Sequence, residues 1–220
     1  DRLKKEDQGL RELKCEVGFG GFVWVSLNDD LDISLEEWGG EPFSHIRQHI
    51  DEEPLEVFHY HKAVIDSNYK LWHDTNSEFY HDYMHYHNRI TGFNDEYFAR
   101  KCYGYEHGHV VIGSFEVQYE EYEGFESRAE LSFPGLPPNQ FYMIDVFPGM
   151  NFNLRGSAFR CDIVTPLGPD KVMIEFRGLG LKSDTAEERQ TRIKHHFTIW
   201  GPFGRNLRED LIGVQGQGSA

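Results

Sequence analysis

The second half of the chain alternates short apolar runs with Gly and Pro, and this pattern narrows the fold more than any other feature. The runs are HVVIGSFEVQYE from His109, QFYMIDVFPG from Gln140, MNFNLRGSAFRCDIVTPLG from Met150 and KVMIEFRGLGL from Lys171. Val, Ile, Phe and Tyr suit a pleated, half-buried surface, and Gly and Pro stop each run early. Gly168-Pro169-Asp170 is a turn sequence between the last two. The expectation is a meandering antiparallel sheet. LEVFHYHKAVID (55–66) alternates as a further strand, and Phe22-Val23-Trp24-Val25, within 11–27, reads as a buried strand ended by Asn28-Asp29-Asp30. Helices are expected near 43–52, from Asn68 to about Arg89, and from Ser183-Asp184 to Gly201-Pro202, the last with Asp or Thr as N-cap and acids in its first turn. Another begins near Leu207. The opening DRLKKEDQ reads as a surface turn or fraying end. The predicted class is α+β: one curved antiparallel sheet with covering helices.

Composition removes several functions. Lys and Arg number 22 against 37 Asp and Glu, a net charge of −15. Phosphate-rich partners need a basic footprint, so neither nucleic acid nor an anionic membrane is an expected partner. Aromatic residues make up 15% and hydrophobic ones 39%, too much apolar mass for a disordered tail. No run reaches the ~20 apolar residues of a membrane span, and no signal peptide opens the chain. A soluble cytoplasmic domain is expected. Cys15, Cys102 and Cys161 are odd in number and far apart, which supports neither a disulfide scaffold nor a zinc knuckle. Cys102 and Cys161 read as small core residues. The chain opens without Met and ends in a Gly-rich run, so a fragment of a longer protein is expected.

Chemistry concentrates in NYKLWHDTNSEFYHDYMHYHNR (68–89). At about 100° per residue, Asp74, Glu78, His81 and His85 share a narrow helical stripe, with Trp72, Phe79, Tyr83 and Tyr86 largely opposite. Lys and Arg are almost absent between them, so the carboxylates lack ion-pair partners within the segment. Two imidazoles one turn apart can share a metal ion, and carboxylates commonly orient such imidazoles. The motif HDYMH also approaches the zinc-protease pattern HExxH. Asp82 stands where Glu is required, which shortens the general base by a methylene and counts against peptidase chemistry.

NYKLWHDTNSEFYH…H resembles the iron-binding helix of the Rieske non-haem iron oxygenases, in their large (α) subunits. The resemblance covers roughly residues 11–220 and implies the helix-grip, START-like catalytic fold of that family. It gives Glu78 the family's acidic position, and with it a relay of electrons towards the metal from a neighbouring subunit's cluster; Asp74 joins it as a second candidate catalytic carboxylate. It makes His81 the first ligand of a mononuclear Fe(II). The second ligand is His85 or His87, since the commoner family position, 86, is Tyr here; His85 shares the acidic stripe and is preferred. IWGPFGRNLREDLIG resembles the family's closing element and offers Asp210 as third ligand, with Glu209 its neighbouring contender. Apart from the resemblance, both acids read simply as favourable charges at a helix N-terminus. Two His and one carboxylate leave positions open for O2 and substrate.

The family also carries a 2Fe-2S Rieske cluster on Cys-x-His and Cys-x-x-His pairs, which this sequence lacks. Residues 1–27 are then a linking strand region after an absent N-terminal Rieske domain, and residues 28–220 the mononuclear iron catalytic domain. The resemblance further implies electrons from NADH through a reductase and a ferredoxin, a trimer of α subunits, and a β subunit. The stretches from Phe58 to Arg89, Pro148 to Thr185 and His195 to Val214 look most like members that oxidise a small-molecule alkanesulfonate, methanesulfonate to formaldehyde and sulfite. An aromatic-ring-hydroxylating dioxygenase is the alternative within the family; a zinc hydrolase or a non-enzymatic ligand-binding domain are the alternatives outside it.

A sulfonate needs local positive charge. Arg155, Arg160 and Arg177 lie on predicted strands and can offer it by bidentate hydrogen bonds; at least two are expected to face solvent or to pair with acids such as Glu175. His59 and His61 on one strand face, His107, His109, and the pair His195-His196 read as ordinary polar positions.

Overall fold

The computed structural model describes residues 9–50, 54–78, 80–91, 95–116 and 123–218. The DRLKKEDQ opening and Phe79 lie outside them. Strands β1 (Lys14–Val17) and β2 (Val23–Ser26) form an antiparallel ribbon. Seven more form one sheet: β3 (Leu55–Ile65), β4 (Cys102–Gly104), β5 (Val110–Glu116), β6 (Gln140–Val146), β7 (Met150–Arg155), β8 (Ala158–Gly168) and β9 (Lys171–Leu181). Their order is β3-β9-β8-β7-β6-β5-β4, every neighbour antiparallel. From β4 to β9 the sheet is therefore a meander, as its Gly and Pro punctuation predicts. It stays open, with β3 and β4 at its edges.

Helices cover both faces. Against one lies α1 (Leu35–Ile50), where Phe43, Ile46 and Ile50 meet Ile144, Val146, Phe152, Phe159 and Leu179. Against the other lie α2 (Tyr69–Ser77), α6 (Ala186–Trp200) and α7 (Leu207–Gly218), where Trp72, Ile199, Trp200, Leu207 and Val214 meet Ile112, Val172, Ile174 and Phe176. Shorter helices are α3 (Tyr86–Thr91), α4 (Asp95–Ala99) and α5 (Phe125–Ala129). The central strands are buried on both faces, which is why they read as nearly continuous apolar runs.

One band of that second face is polar. Along one row of the register stand His59, Gly178, Arg160 and Asn153; along the next stand His61, Phe176, Asp162, Asn151 and Asp145. Arg160, Asp162, Asn151, Asn153 and Asp145 are each 2% exposed or less. Burying such groups is costly, so they need partners or a purpose.

Several expectations need correction. The Phe22–Val25 segment is a ribbon strand with one packed side: Phe22 and Trp24 turn onto Phe19, Phe43 and Phe152, while Val23 and Val25 are exposed. The helix near 43–52 starts at Leu35, where Ser34 and Glu37 exchange side-chain and backbone hydrogen bonds in a capping box, and it bends at Gly40. Cys161 is buried, but Cys102 is exposed on the edge strand β4. His109, His195 and His196 are buried rather than ordinary polar positions.

The α6 start is as its sequence predicts, with Thr185 and Glu188 forming a capping box. Arg192, 1% exposed, ties this helix down. Its Nε and Nη2 donate to Asp184 at 2.8 and 2.9 Å, and Nη1 donates to the carbonyls of Leu131 and Ser157. Arg192→Met strands a buried carboxylate and two carbonyls. It should cost about 3–5 kcal/mol in urea unfolding; an unchanged midpoint would refute that.

Candidate metal centre

The segment 68–91 is not the single helix that its lack of Gly and Pro suggests. Asn68 caps α2, accepting from the Lys70 N–H, and the helix ends at Ser77. In its last turn Thr75 Oγ1 and Asn76 Nδ2 donate back to the carbonyls of Leu71 and Trp72, which supports a stop. Glu78 is extended, at φ −137° and ψ 174°. Its carboxylate then folds over the following 3-10 turn (Tyr80–Met84), accepting from the backbone N–H groups of Tyr80 and His81. Glu78 thus replaces a helical turn with a cap, and α3 follows.

The break brings two imidazoles together. His81 Nδ1 donates to Glu78 at 2.5 Å, and His85 Nδ1 donates to Glu209, at the start of α7, at 2.7 Å. Both Nε2 atoms are left pointing at Asp210, 3.5 Å from His81 and 3.0 Å from His85. Ligand atoms of His81, His85 and Asp210 all lie within 4.8 Å of one another. Two ligands about 2.1 Å from a metal and at right angles stand about 3.0 Å apart, so this set fits one ion. Asp210 Oδ1 is buried and faces both imidazoles. Asp82 Oδ1 approaches at 3.8 and 3.9 Å from the two Nε2 atoms, while its Oδ2 accepts from Tyr97.

Four carboxylates around two imidazoles make a strongly cation-seeking site. Burial alone would lower the His85 pKa, but the hydrogen bonds and charges of Asp210 and Glu209 outweigh it and raise the imidazole to about 9. His81 is raised in the same way by Glu78, Asp210 and Asp82, against burial. Burial pushes the Asp82 carboxyl up. Asp210 is held low despite its burial by the His85 hydrogen bond and the charges of His85 and His81. Each Nδ1 tied to a carboxylate fixes the tautomer that frees Nε2 for a metal.

The predicted residues divide. His81, His85, Glu78 and Asp210 converge; Asp74 does not, being exposed on α2. His87 is also exposed and lies in another cleft, beside Arg128 and Lys194, so the break in the helix favours His85. Glu209, the rival third ligand, instead orients His85. Tyr83 and Tyr86 are exposed while Trp72 is buried, so among the described residues the expected aromatic stripe does not share one buried face. Asp82 was legible only as a poor HExxH base, and its place beside both Nε2 atoms needed the 3-10 turn to be seen. A cleft of ≈ 110 Å³ opens beside the cluster, lined by Thr75, Glu78, Met84, Gly213 and Gln217.

The arginines divide too. Arg160 lies on the same sheet face as the cluster's helices, donating from Nη2 to Asp162 at 2.8 Å. Arg155 shares that face, its guanidinium over Phe141 and Trp200. Arg177 alternates to the α1 side, over Tyr60 and 3.7 Å from Glu175, and so cannot share a pocket with the cluster.

The family model for the ring-hydroxylating alpha subunit (catalytic domain) matches residues 52–210. The chain is 76% identical over 219 residues to the methanesulfonate monooxygenase hydroxylase subunit alpha of Methylosulfonomonas methylovora, covering all of this chain and 53% of that protein. It is 41% identical to the 2-aminobenzenesulfonate 2,3-dioxygenase subunit alpha of Alcaligenes sp, covering 94% and 52%. The chain thus spans about half the length of the curated relatives it matches. A solved naphthalene 1,2-dioxygenase from Rhodococcus sp. shares its fold, with a TM-score of 0.73 at 22% identity, covering 99% of this chain and 56% of that one.

Proposed function

The chain belongs to the ring-hydroxylating alpha subunit family, of which it carries the catalytic domain, and on that premise we propose that it is the oxygen-activating half of a Rieske-type sulfonate monooxygenase. The observation that carries this reading is the convergence of two Nε2 atoms and one Oδ1, with both Nδ1 atoms already tied to carboxylates. His81, His85 and Asp210 are the residues that would hold a mononuclear Fe(II), which when bound would supply the site for O2 activation.

The substrate is a short alkanesulfonate. The two relatives named above each take a sulfonate by name. Methanesulfonate, O2, NADH and a proton give formaldehyde, hydrogen sulfite, NAD+ and water: a C–H bond is replaced by C–OH, and the hydroxymethanesulfonate then loses its C–S bond. The electrons pass from NADH through a reductase and a ferredoxin to a 2Fe-2S Rieske cluster on an upstream domain. Glu78, which lines the surface cleft and accepts from His81 Nδ1, is the residue to receive them from a neighbouring subunit's cluster. Exposed Tyr80, Met84 and Tyr86 around it support a subunit contact there, in a trimer of α subunits with a β subunit. Among the described residues no helix is long and apolar enough to cross a membrane.

The test uses the complete hydroxylase, loaded anaerobically with Fe(II) and supplied with NADH and its electron carriers. Sulfite should be released from methanesulfonate with matching NADH consumption, and benzene and naphthalene should be ignored. Oxidation of arenes without sulfite from methanesulfonate would move the assignment to aromatic dioxygenation; zinc in the purified protein, with activity that needs no O2, would overturn the oxygenase reading.

A further inference from the structure

The buried polar band beneath α2 and α6 contains more hydrogen-bond donors than partners. Arg160 gives Nη2 to Asp162, but its buried Nε has no partner among the described residues. The same holds for Trp72 Nε1, for His61 Nε2, whose Nδ1 is engaged by His59 at 2.7 Å, and for both ring nitrogens of the fully buried His196. Each donor so left costs about 1–3 kcal/mol. Asp162 Oδ1 is a buried acceptor also left open there, but four residues with unmet donors outnumber it and call for a further acceptor.

The four surround one pair of rings. Phe176 stacks on His61 at 4.7 Å, meets the edge of Trp72 at 5.5 Å and has the Arg160 guanidinium 5.6 Å from its centre. Trp200 lies 5.0 Å from the same guanidinium and 6.0 Å from His196. Gly178, the register partner of Arg160, lets His196 come down onto the sheet there: a Cβ at position 178 would stand 2.8 Å from His196 Cε1 and 2.9 Å from Nε2. The place also lies within electrostatic reach of the metal cluster, since the Arg160 charge helps to hold Asp210 ionised. Burial, with the charges of His59 and Arg160, lowers His61 to about 4 and His196 to about 3. Both rings are therefore neutral at pH 7, each with one N–H to donate, beside a guanidinium that Asp162 holds in place.

We infer that Arg160, His61, His196 and Trp72 form the recognition site for the sulfonate head of the substrate, with Phe176 and Trp200 as the apolar wall for its methyl group. A sulfonate has three oxygens and little apolar area, so charge-assisted and N–H hydrogen bonds must supply its affinity. Local donors serve this in a chain whose net charge of −15 works against collecting an anion from a distance. The inference rests on the sulfonate reading above and adds the residues that read the head group.

The assembled, iron-loaded hydroxylase tests it with methanesulfonate as the probe, by steady-state kinetics and by calorimetric binding. Trp72→Phe and His196→Phe keep a ring and delete N–H donors. Each should raise KM and Kd about 10-fold with kcat within about twofold, as the loss of one such bond implies. Arg160→Met combined with Asp162→Asn, which strands no buried charge, should raise both more than about 100-fold, and Arg160→Lys should recover part of the loss. Iron content and near-ultraviolet circular dichroism report on folding. Wild-type KM and Kd in all these variants would overturn the site. If the wild-type enzyme binds methanesulfonate but does not oxidise it, the substrate assignment falls, and loss of binding in the variants still supports the site. If the wild type does not bind methanesulfonate at all, the site is overturned as well.

Discussion

His85→Ala should leave the complete subunit folded and strip it of mononuclear iron. His85 supplies one of three converging ligand atoms and accounts for the 3.0 Å approach to Asp210. Without it, Asp210, Asp82 and Glu209 face one another around a single imidazole, and a two-ligand site holds a divalent ion poorly. Iron at the mononuclear site should fall to about a tenth or less, and sulfite production should fall with it. The visible spectrum of the Rieske cluster should persist, which separates loss of the ion from loss of the fold. His87→Ala is the matched control and should keep its iron. Full iron in His85→Ala, or its loss in His87→Ala, would reverse the ligand assignment.

Glu78→Gln should do the opposite, keeping iron while losing turnover. The amide retains an oxygen to accept from His81 Nδ1, so the ring stays oriented, but it removes the charge that helps to raise the His81 imidazole. Changes to such outer partners of a metal ligand typically cost about 10–100-fold. Here the loss should fall on NADH-coupled turnover, because Glu78 lines the surface cleft and is hydrogen-bonded to the ligand His81. Glu209→Gln makes the same chemical change at His85. A similar loss in both variants would make Glu78 only an orienting group, and near wild-type turnover in Glu78→Gln would exclude any relay through it.

The meander was readable from its sequence because a strand between two helical layers must be apolar and a turn must be Gly- or Pro-rich, and both signals are local. The metal cluster was partly readable. Glu78, His81 and His85 recur at intervals of three and four, which survive a change from helix to 3-10 turn well enough to keep the residues together. Asp74 was misplaced for the same reason: on a continuous helix it belongs to the stripe, but the chain turns at Glu78 and leaves it outside. Asp210 emerged from the resemblance, since two acids at a helix start are otherwise unremarkable. The polar band was illegible. Arg160, Gly178 and His61 become neighbours only through the register of β3, β9 and β8, and His196 reaches them from a helix. No periodicity within one segment encodes that proximity. Arg177 shows the converse, because a single-residue step along β9 sends it to the far face.

The pairing of His85 with Glu209 joins positions 124 apart in the chain. Closing so long a loop costs chain entropy on folding, and an ion bridging His85 to Asp210 would clip nearly the same loop. Chelation would then act as a mechanical fastener as well as a chemical centre. Removing the ion should free α7 first, since its opening turn carries both Glu209 and Asp210, and protease nicking near the C-terminal end of this chain would expose that loosening before any global unfolding.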